Sequence, residues 1–297
     1  MFIASLLFAP FLSGVINRVK AFFAGRKGPP LLQRYYDIAK LLRKDYKYPE
    51  RASWVFRAGP VVVLAGSVTA ALMTPFGCAV GVFSFQGDFI FWIGAFTLAR
   101  LFMIVAAVDS GSAFEGMGAS REAWFGALAE PAILLSMAAL AVATGKDRLG
   151  GFLGFFSPET WSQHFVSLTF AAIALVLTIL VENARIPIDD PNTHLELTMI
   201  HEAMLLDHGG PDLALLEYAA SLKLWVMGAL VIGFIVPFEN SFLPDALRFV
   251  GGMLLFAIVI GYIESRMARL RMLKVGQFLV GAVVIAALSL LMAARNL

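Results

Sequence analysis

A set of charged side chains lies in or beside long apolar runs of this sequence: Arg100, Asp109, Glu115, Glu122, Glu130, Glu182, Arg185, Asp189, Asp190, Glu196, Glu202, Asp207, Asp212, Glu217, Lys223 and Glu264. A charge at the centre of a lipid bilayer costs about 2.5 to 3.5 kcal/mol even on the gentlest insertion scale, so each needs a reason. Glu130 stands inside the apolar stretch GALAEPAILL with Pro131 after it to loosen the helix, Glu182 closes TILVENARIP, and Glu217 precedes LLEYAASLKLW's apolar end. Desolvation favours the neutral form of a carboxylic acid, which is the property a proton carrier needs. Arg185, at i+3 from Glu182, and Lys223, six residues after Glu217, are the expected basic partners that restore the charged forms. Acids with intermittent cations form a proton relay; the bland alternative is a set of ion pairs that fixes helix packing. For Asp109, Glu115, Glu122, Asp207, Asp212 and Glu264 a third reading stands equally, hydration at the lipid headgroups.

The segment HEAMLLDH suggests a metal-binding helix, but the spacing excludes it. A zincin helix needs two histidines four residues apart, whereas His194, His201 and His208 recur every seven, about 10.5 Å apart along a helix axis. They read as a surface or subunit-facing stripe, and no metal site is expected. Nothing resembles a nucleotide-binding loop, no nucleic-acid partner is implied, and no nucleophile with its base can be assembled. The single cysteine, Cys78, can neither form an intrachain disulfide nor ligate an iron–sulfur cluster. Any redox centre belongs to another subunit.

The elements that must position these groups follow from composition. Of 297 residues 59% are hydrophobic and 15% charged, against roughly 25% charged in soluble domains, so the main solvent is lipid. Apolar runs of about 18 to 23 residues, each long enough to cross a bilayer core, fall at 2–23, 54–76, 88–108, 122–143, 164–182, 219–237, 245–264 and 275–294. The expectation is an all-α polytopic protein of about eight transmembrane helices forming a single membrane domain over 1–297. The first run lacks a basic segment before it and reads as a retained helix. Glycine pairs Gly77/Gly81 and Gly150/Gly154 match the GxxxG helix-packing pattern at span ends.

The odd connections, 24–53, 109–121, 183–218 and 265–274, hold fourteen Lys and Arg against two in the even ones. The positive-inside rule places them in the cytoplasm and both termini outside, across a cell inner membrane. In the first connection Leu31, Leu32, Tyr35, Ile38, Leu41 and Leu42 recur at helical spacing after a Gly-Pro-Pro breaker, an amphipathic surface helix. In the fifth, Asp190 and Pro191 are expected to start a helix that Gly209-Gly210-Pro211 stops, with a second short helix running from Asp212 into the sixth span.

Three segments, GRKGPPLLQRYYDIAKLLRKD, GASREAWFGALAEP and ENARIPIDDPNTHLELTMIHEAMLLDHGGPDLALLEYA, together resemble the membrane subunit at the arm junction of respiratory complex I and its relatives in energy-converting nickel–iron hydrogenases. Gly28, Pro29, Leu32, Gln33, Asp37, Lys40 and Leu41 keep the core of the family's first pattern. The resemblance implies a subunit that binds no cofactor alone, anchors a soluble redox arm and starts a chain of acids leading to antiporter-like membrane subunits. On this sequence the relay positions are Glu130, Glu182, Arg185, Asp189, Glu196, Glu202 and Glu217, and the docking positions Arg26, Lys27, Gln33, Arg34, Asp37 and Lys40. Partners so implied are hydrogenase large and small subunits and iron–sulfur subunits carrying the nickel–iron and iron–sulfur centres.

In complex I the fifth connection also forms a quinone cavity and carries extra acids. Here Asn192 and His194 stand at two of those places, and the segment is more similar to the formate hydrogenlyase and hydrogenase-4 branch, which weakens the case for quinone. The leading expectation is an ion-coupling hydrogenase subunit moving protons or sodium. The alternatives are a quinone-site subunit of complex I and a stand-alone secondary transporter, the last disfavoured by the absence of internal repeats.

Overall fold

In lipid a chain must satisfy its backbone polar groups internally, and here helices do so throughout the apolar runs. A computed structural model describes residues 2–50, 52–77, 81–152, 158–189, 199–236, 238 and 241–295. The membrane-crossing candidates are α1 (Phe2–Phe23), α3 (Trp54–Met73), α4 (Asp88–Asp109), α5 (Ala113–Thr144), α7 (Pro158–Glu182), α8 (Gly210–Ile235), α9 (Phe242–Arg266) and α10 (Met272–Arg295). Among the described residues eight helices are thus long and apolar enough to cross a membrane, as the hydropathy pattern predicts. Between them lie the nine-residue α2 (Gln33–Leu41), the short α6 (Leu149–Phe152) and a 3-10 turn at Glu202–Leu205. No strand occurs among the described residues.

α8 is the hub. Every residue from Leu224 to Phe234 is buried, as expected of a helix that is apolar on all sides. It packs against α1, α3, α7 and α9, while α5, α7 and α10 form a second group and α3 pairs with α4. Lipid faces instead expose large apolar side chains such as Leu243, Leu255 and Leu291. Helices in a bilayer gain little from hydrophobic burial and associate through close van der Waals contact. Two glycines permit this where the site is built. A Cβ on Gly14 of α1 would overlap the Leu31 carbonyl, so Gly14 lets the chain entering α2 lie against α1. A Cβ on Gly126 of α5 would overlap the guanidinium of Arg100.

Local structure departs from the sequence reading in four places. The third connection shrinks to Ser110–Ser112, because α5 starts at Ala113 and runs 32 residues through Pro131. Residues 199–208 hold one 3-10 turn and no α-helix, and Gly209, Gly210 and Pro211 begin α8 instead of ending a preceding helix. Proline fits a first helical turn, where its missing N–H has no partner in any case, and α8 then continues without a break into the membrane. α7 carries non-helical backbone at His164. Gly77 and Gly81 lie in the connection after α3, so they form no helical GxxxG face. Cys78, Gly154, Asp190, Pro191, Asn192, His194 and Glu196 lie outside the described residues.

Candidate functional site: a buried ion-pair cluster on a polar cavity

Glu122, Gly126 and Glu130 follow one another at intervals of four along α5 and therefore share a face. Arg100, near the middle of α4, enters the notch that Gly126 leaves between the two carboxylates. Its Nη1 donates to Glu130 Oε1 at 2.6 Å, and its Nε lies 3.4 Å from Glu122 Oε1. Nη2 donates to Oε1 of Glu182, the last residue of α7. The other oxygen of Glu182, Oε2, accepts from Lys223 Nζ of α8 at 2.7 Å. Arg100 and Glu182 are almost fully enclosed, with side-chain exposures of 8% and 2%. Four helices thus converge on two cations and three carboxylates.

Arg100, Glu122, Glu182 and Lys223 of the cluster line a cavity of about 360 Å³. Arg34, His201, Glu202 and Glu217 line it as well, together with Ser13, Asn17, Ser67 and Ser221. Arg34 of α2 pairs with Glu217 of α8. Burial raises the carboxyl pKa of Glu202 above its ordinary value; His201 opposes that rise and Glu217 adds to it. A far smaller recess, of about 10 Å³, is lined by Glu122, Gly126 and Glu182 together with Asp189 and Ile200.

The expected relay members divide into three groups. Glu130 and Glu182 meet at Arg100, and Glu202 and Glu217 lie near each other on the cavity that Glu182 also lines. Asp189, buried, accepts from Arg269 Nη2 at 2.9 Å and from the backbone N–H of Ile200 at 3.1 Å, which ties the fifth connection to the seventh. The expected pairings are corrected. Arg185 lines the cavity but pairs with Glu264 of α9 at 3.4 Å, which Lys20 of α1 also reaches at 2.8 Å. Lys223 serves Glu182, not Glu217, because six residues along a helix carry it about 9 Å away along the axis.

Sequence reasoning passed over Arg100 and Glu122 as relay members. The available signal was a lone arginine in the middle of an apolar run and the Glu-Gly-Glu spacing of four on the following helix. Glu115, Asp212 and Glu264 are buried and not hydrated at headgroups; Glu115 Oε1 accepts from the Asp207 N–H at 2.9 Å. The histidine stripe is also corrected: His201 faces the cavity, while His208 is buried and stacks on Phe56 at 4.1 Å with an interplanar angle of 12°. Of the docking positions, Arg26, Lys27 and Lys40 are exposed, Gln33 donates to Asp37 at 2.8 Å along α2, and Arg34 turns inward.

Eight apolar helices among the described residues, four of them converging on a buried ion-pair cluster, define a multi-pass membrane protein with an ion-paired centre. The family described as NADH dehydrogenase matches residues 1–295. Formate hydrogenlyase subunit 4 of Escherichia coli (strain K12) is 31% identical over 89% of this chain and 87% of its own length. Hydrogenase-4 component C of the same organism is 30% identical over 80% and 73%. The H-type subunit of the NADH-quinone oxidoreductase of Rubrobacter xylanophilus is 26% identical over 72% and 66%. The chain belongs to this NADH dehydrogenase family, the complex I subunit 1 or H type. Its fold is also that of a chain in a solved structure of the membrane-bound sulfane sulfur reductase, an archaeal respiratory membrane complex. The TM-score is 0.79 at 18% identity, over 98% of this chain and 96% of that one.

Proposed function

We propose that this chain is the membrane-anchor and ion-coupling subunit of an energy-converting nickel–iron hydrogenase complex. It holds a soluble electron-transfer arm on its cytoplasmic connections and passes protons, or sodium ions, between the arm junction and antiporter-like membrane subunits. The observation that carries the reading is the continuity of acid and base from Glu217 and Glu202, across the polar cavity, to Glu122, Glu130 and Glu182 around Arg100. Paired buried charges are a poor way to gain stability, and a set of them lining a cavity large enough for several waters suits proton exchange. The nickel–iron and iron–sulfur centres belong to the partners. The exposed Arg26, Lys27 and Lys40 lie on the docking side, which the distribution of Lys and Arg assigns to the cytoplasm of an inner-membrane protein, with both termini outside.

The hydrogenase relatives are the more similar ones, at 31% and 30% against 26% for the quinone oxidoreductase relative. Arg34, Arg100, Glu122, Glu182, Glu202 and Glu217 line the cavity and suit water and protons, and this reading needs no quinone. Purification from native membranes tests the assignment. The chain is expected to co-elute with nickel and with iron–sulfur subunits; elution alone would favour a transporter, and bound quinone in the cavity would favour the complex I alternative.

A further inference from the structure

We propose that Glu122 carries the exchangeable proton of the Arg100 cluster, that Glu182 is a fixed anionic anchor, and that Arg100, seated in the Gly126 notch, assigns these roles. The inference rests on the ion-coupling reading above and divides labour within it. Arginine does not lose its proton in a protein, so Arg100 is a permanent charge. With Lys223 it sets two cations against the carboxylates of Glu122, Glu130 and Glu182, leaving one carboxylate in excess within the cluster, while Arg185, on the same cavity, shares Glu264 with Lys20 as a separate group. A single proton neutralises that excess, and the geometry determines where the proton goes.

Glu182 has no vacancy, since Arg100 takes one of its oxygens and Lys223 the other. Glu130 gives one oxygen to Nη1 of Arg100 at 2.6 Å, a short charge-assisted bond. Glu122 is held least, 3.4 Å from a guanidinium nitrogen that has no hydrogen-bond partner. It also has the most connected position, because among the cluster's carboxylates Glu122 and Glu182 both line the main cavity and the recess that leads to Asp189, and of these Glu122 has the freer oxygens. Its side chain is 17% exposed, against 2% for Glu182, and it lines the cavity, which the more exposed Glu130 does not. The group is a proton carrier and not a metal-cation site. The Arg100 guanidinium adjoins the carboxylate at 3.4 Å and would repel a metal cation seated on it.

A proton taken up by Glu122 from the Glu202 and Glu217 side leaves Arg100 with Glu130 and Glu182. The same proton is then released to Glu130, two turns further along α5 into the membrane, and Glu122 returns to its charged form. No bond other than the O–H is made or broken.

The test uses the whole complex in sealed membrane vesicles, with assembly checked by co-purification and redox turnover by artificial electron carriers. E122Q is expected to lower protons moved per turnover on the order of 100-fold, the loss typical of a missing acid–base group, while E122D retains movement with a displaced pH profile. E182Q is expected to lose proton movement too, but E182Q/K223M, which removes the anchor and one cation together and restores the single excess carboxylate, is expected to recover it. Proton movement near the wild-type level in E122Q, or an E182Q/K223M double variant as inactive as E182Q, would overturn the assignment. Wild-type proton movement in E122Q, E130Q and E182Q alike would instead overturn the ion-coupling reading on which it rests.

Discussion

Tyr218 donates its hydroxyl to the carbonyl oxygen of Leu6 at 3.0 Å, the acceptor that Pro10 leaves without its helical N–H partner four residues on. Membrane helices tolerate an internal proline where a neighbour satisfies the freed carbonyl. Here the neighbour adjoins Glu217, whose partner Arg34 adjoins Tyr35, which itself donates to the Leu7 carbonyl. The ion pair at the cavity wall is therefore framed by two tyrosines reading consecutive carbonyls of α1. Y218F is expected to cost about 1 kcal/mol, the net value of such a bond, measured as a lower midpoint of thermal unfolding in detergent. P10A/Y218F is expected to recover much of the loss, because an alanine N–H returns to the Leu6 carbonyl.

G126A is a stringent test of the arginine notch. A methyl group at that position overlaps a guanidinium that three carboxylates hold in place. Displacing it leaves buried charges unpaired, at about 3 to 5 kcal/mol. We expect G126A to assemble poorly or to lose ion movement, whereas G116A and G94A, where a Cβ meets nothing, are expected to behave as wild type in the same assays.

His208 gives a pH dependence with a defined sign. Burial against Phe56 pushes its pKa down from 6.5 to about 4. Between those values the unfolded chain binds the proton and the folded chain does not. The contribution of this neutral imidazole is therefore complete above pH 6.5, falls by up to about 1.4 kcal/mol per pH unit below it, and is exhausted near pH 4. Thermal midpoints recorded from pH 7.5 to 4.5 are expected to fall more steeply for the wild type than for H208F, whose phenyl ring keeps the stack and does not titrate.

Asp189 anchors residues 199–209 by accepting from both Arg269 and the Ile200 N–H. D189A is expected to speed amide exchange at Ile200 and along Glu202–Leu205 by about ten-fold or more, the equivalent of 1.4 kcal/mol of lost local stability. R269A is expected to produce a weaker form of the same change, because the backbone bond survives. Unchanged exchange in D189A would deny it the anchoring role.

How far the sequence alone carried these conclusions depends on the range of the interactions. The spans were legible because apolar length is a local property, and α1 and α4 end within a residue of the expected places. Segments governed by partners elsewhere were not. Residues 199–208 look like a helix by composition, but Asp189 and Glu115 take the N–H groups of Ile200 and Asp207 from across the fold. α5 begins nine residues before its apolar run because Ser112 to Arg121 pack beneath the fifth connection, with Arg121 donating to the Met199 carbonyl at 2.7 Å. The carboxylates were visible as expensive residues, yet their partners were not: Arg100 and Glu182 are 82 positions apart, and nothing in the spacing announces that pairing. Nearby cations misled, since Arg185 is closer in sequence to Glu182 but turns to Glu264.

The central claim, that the carboxylate string couples ion movement to electron flow in partner subunits, is tested most directly by E130Q in the intact complex. Sealed vesicles would report the ions moved per turnover, and artificial electron carriers the partner-borne redox activity. The expected result is redox activity near the wild-type level with ion movement abolished. Ion movement that persists at the wild-type ratio, or redox activity lost in a correctly assembled complex, would contradict it.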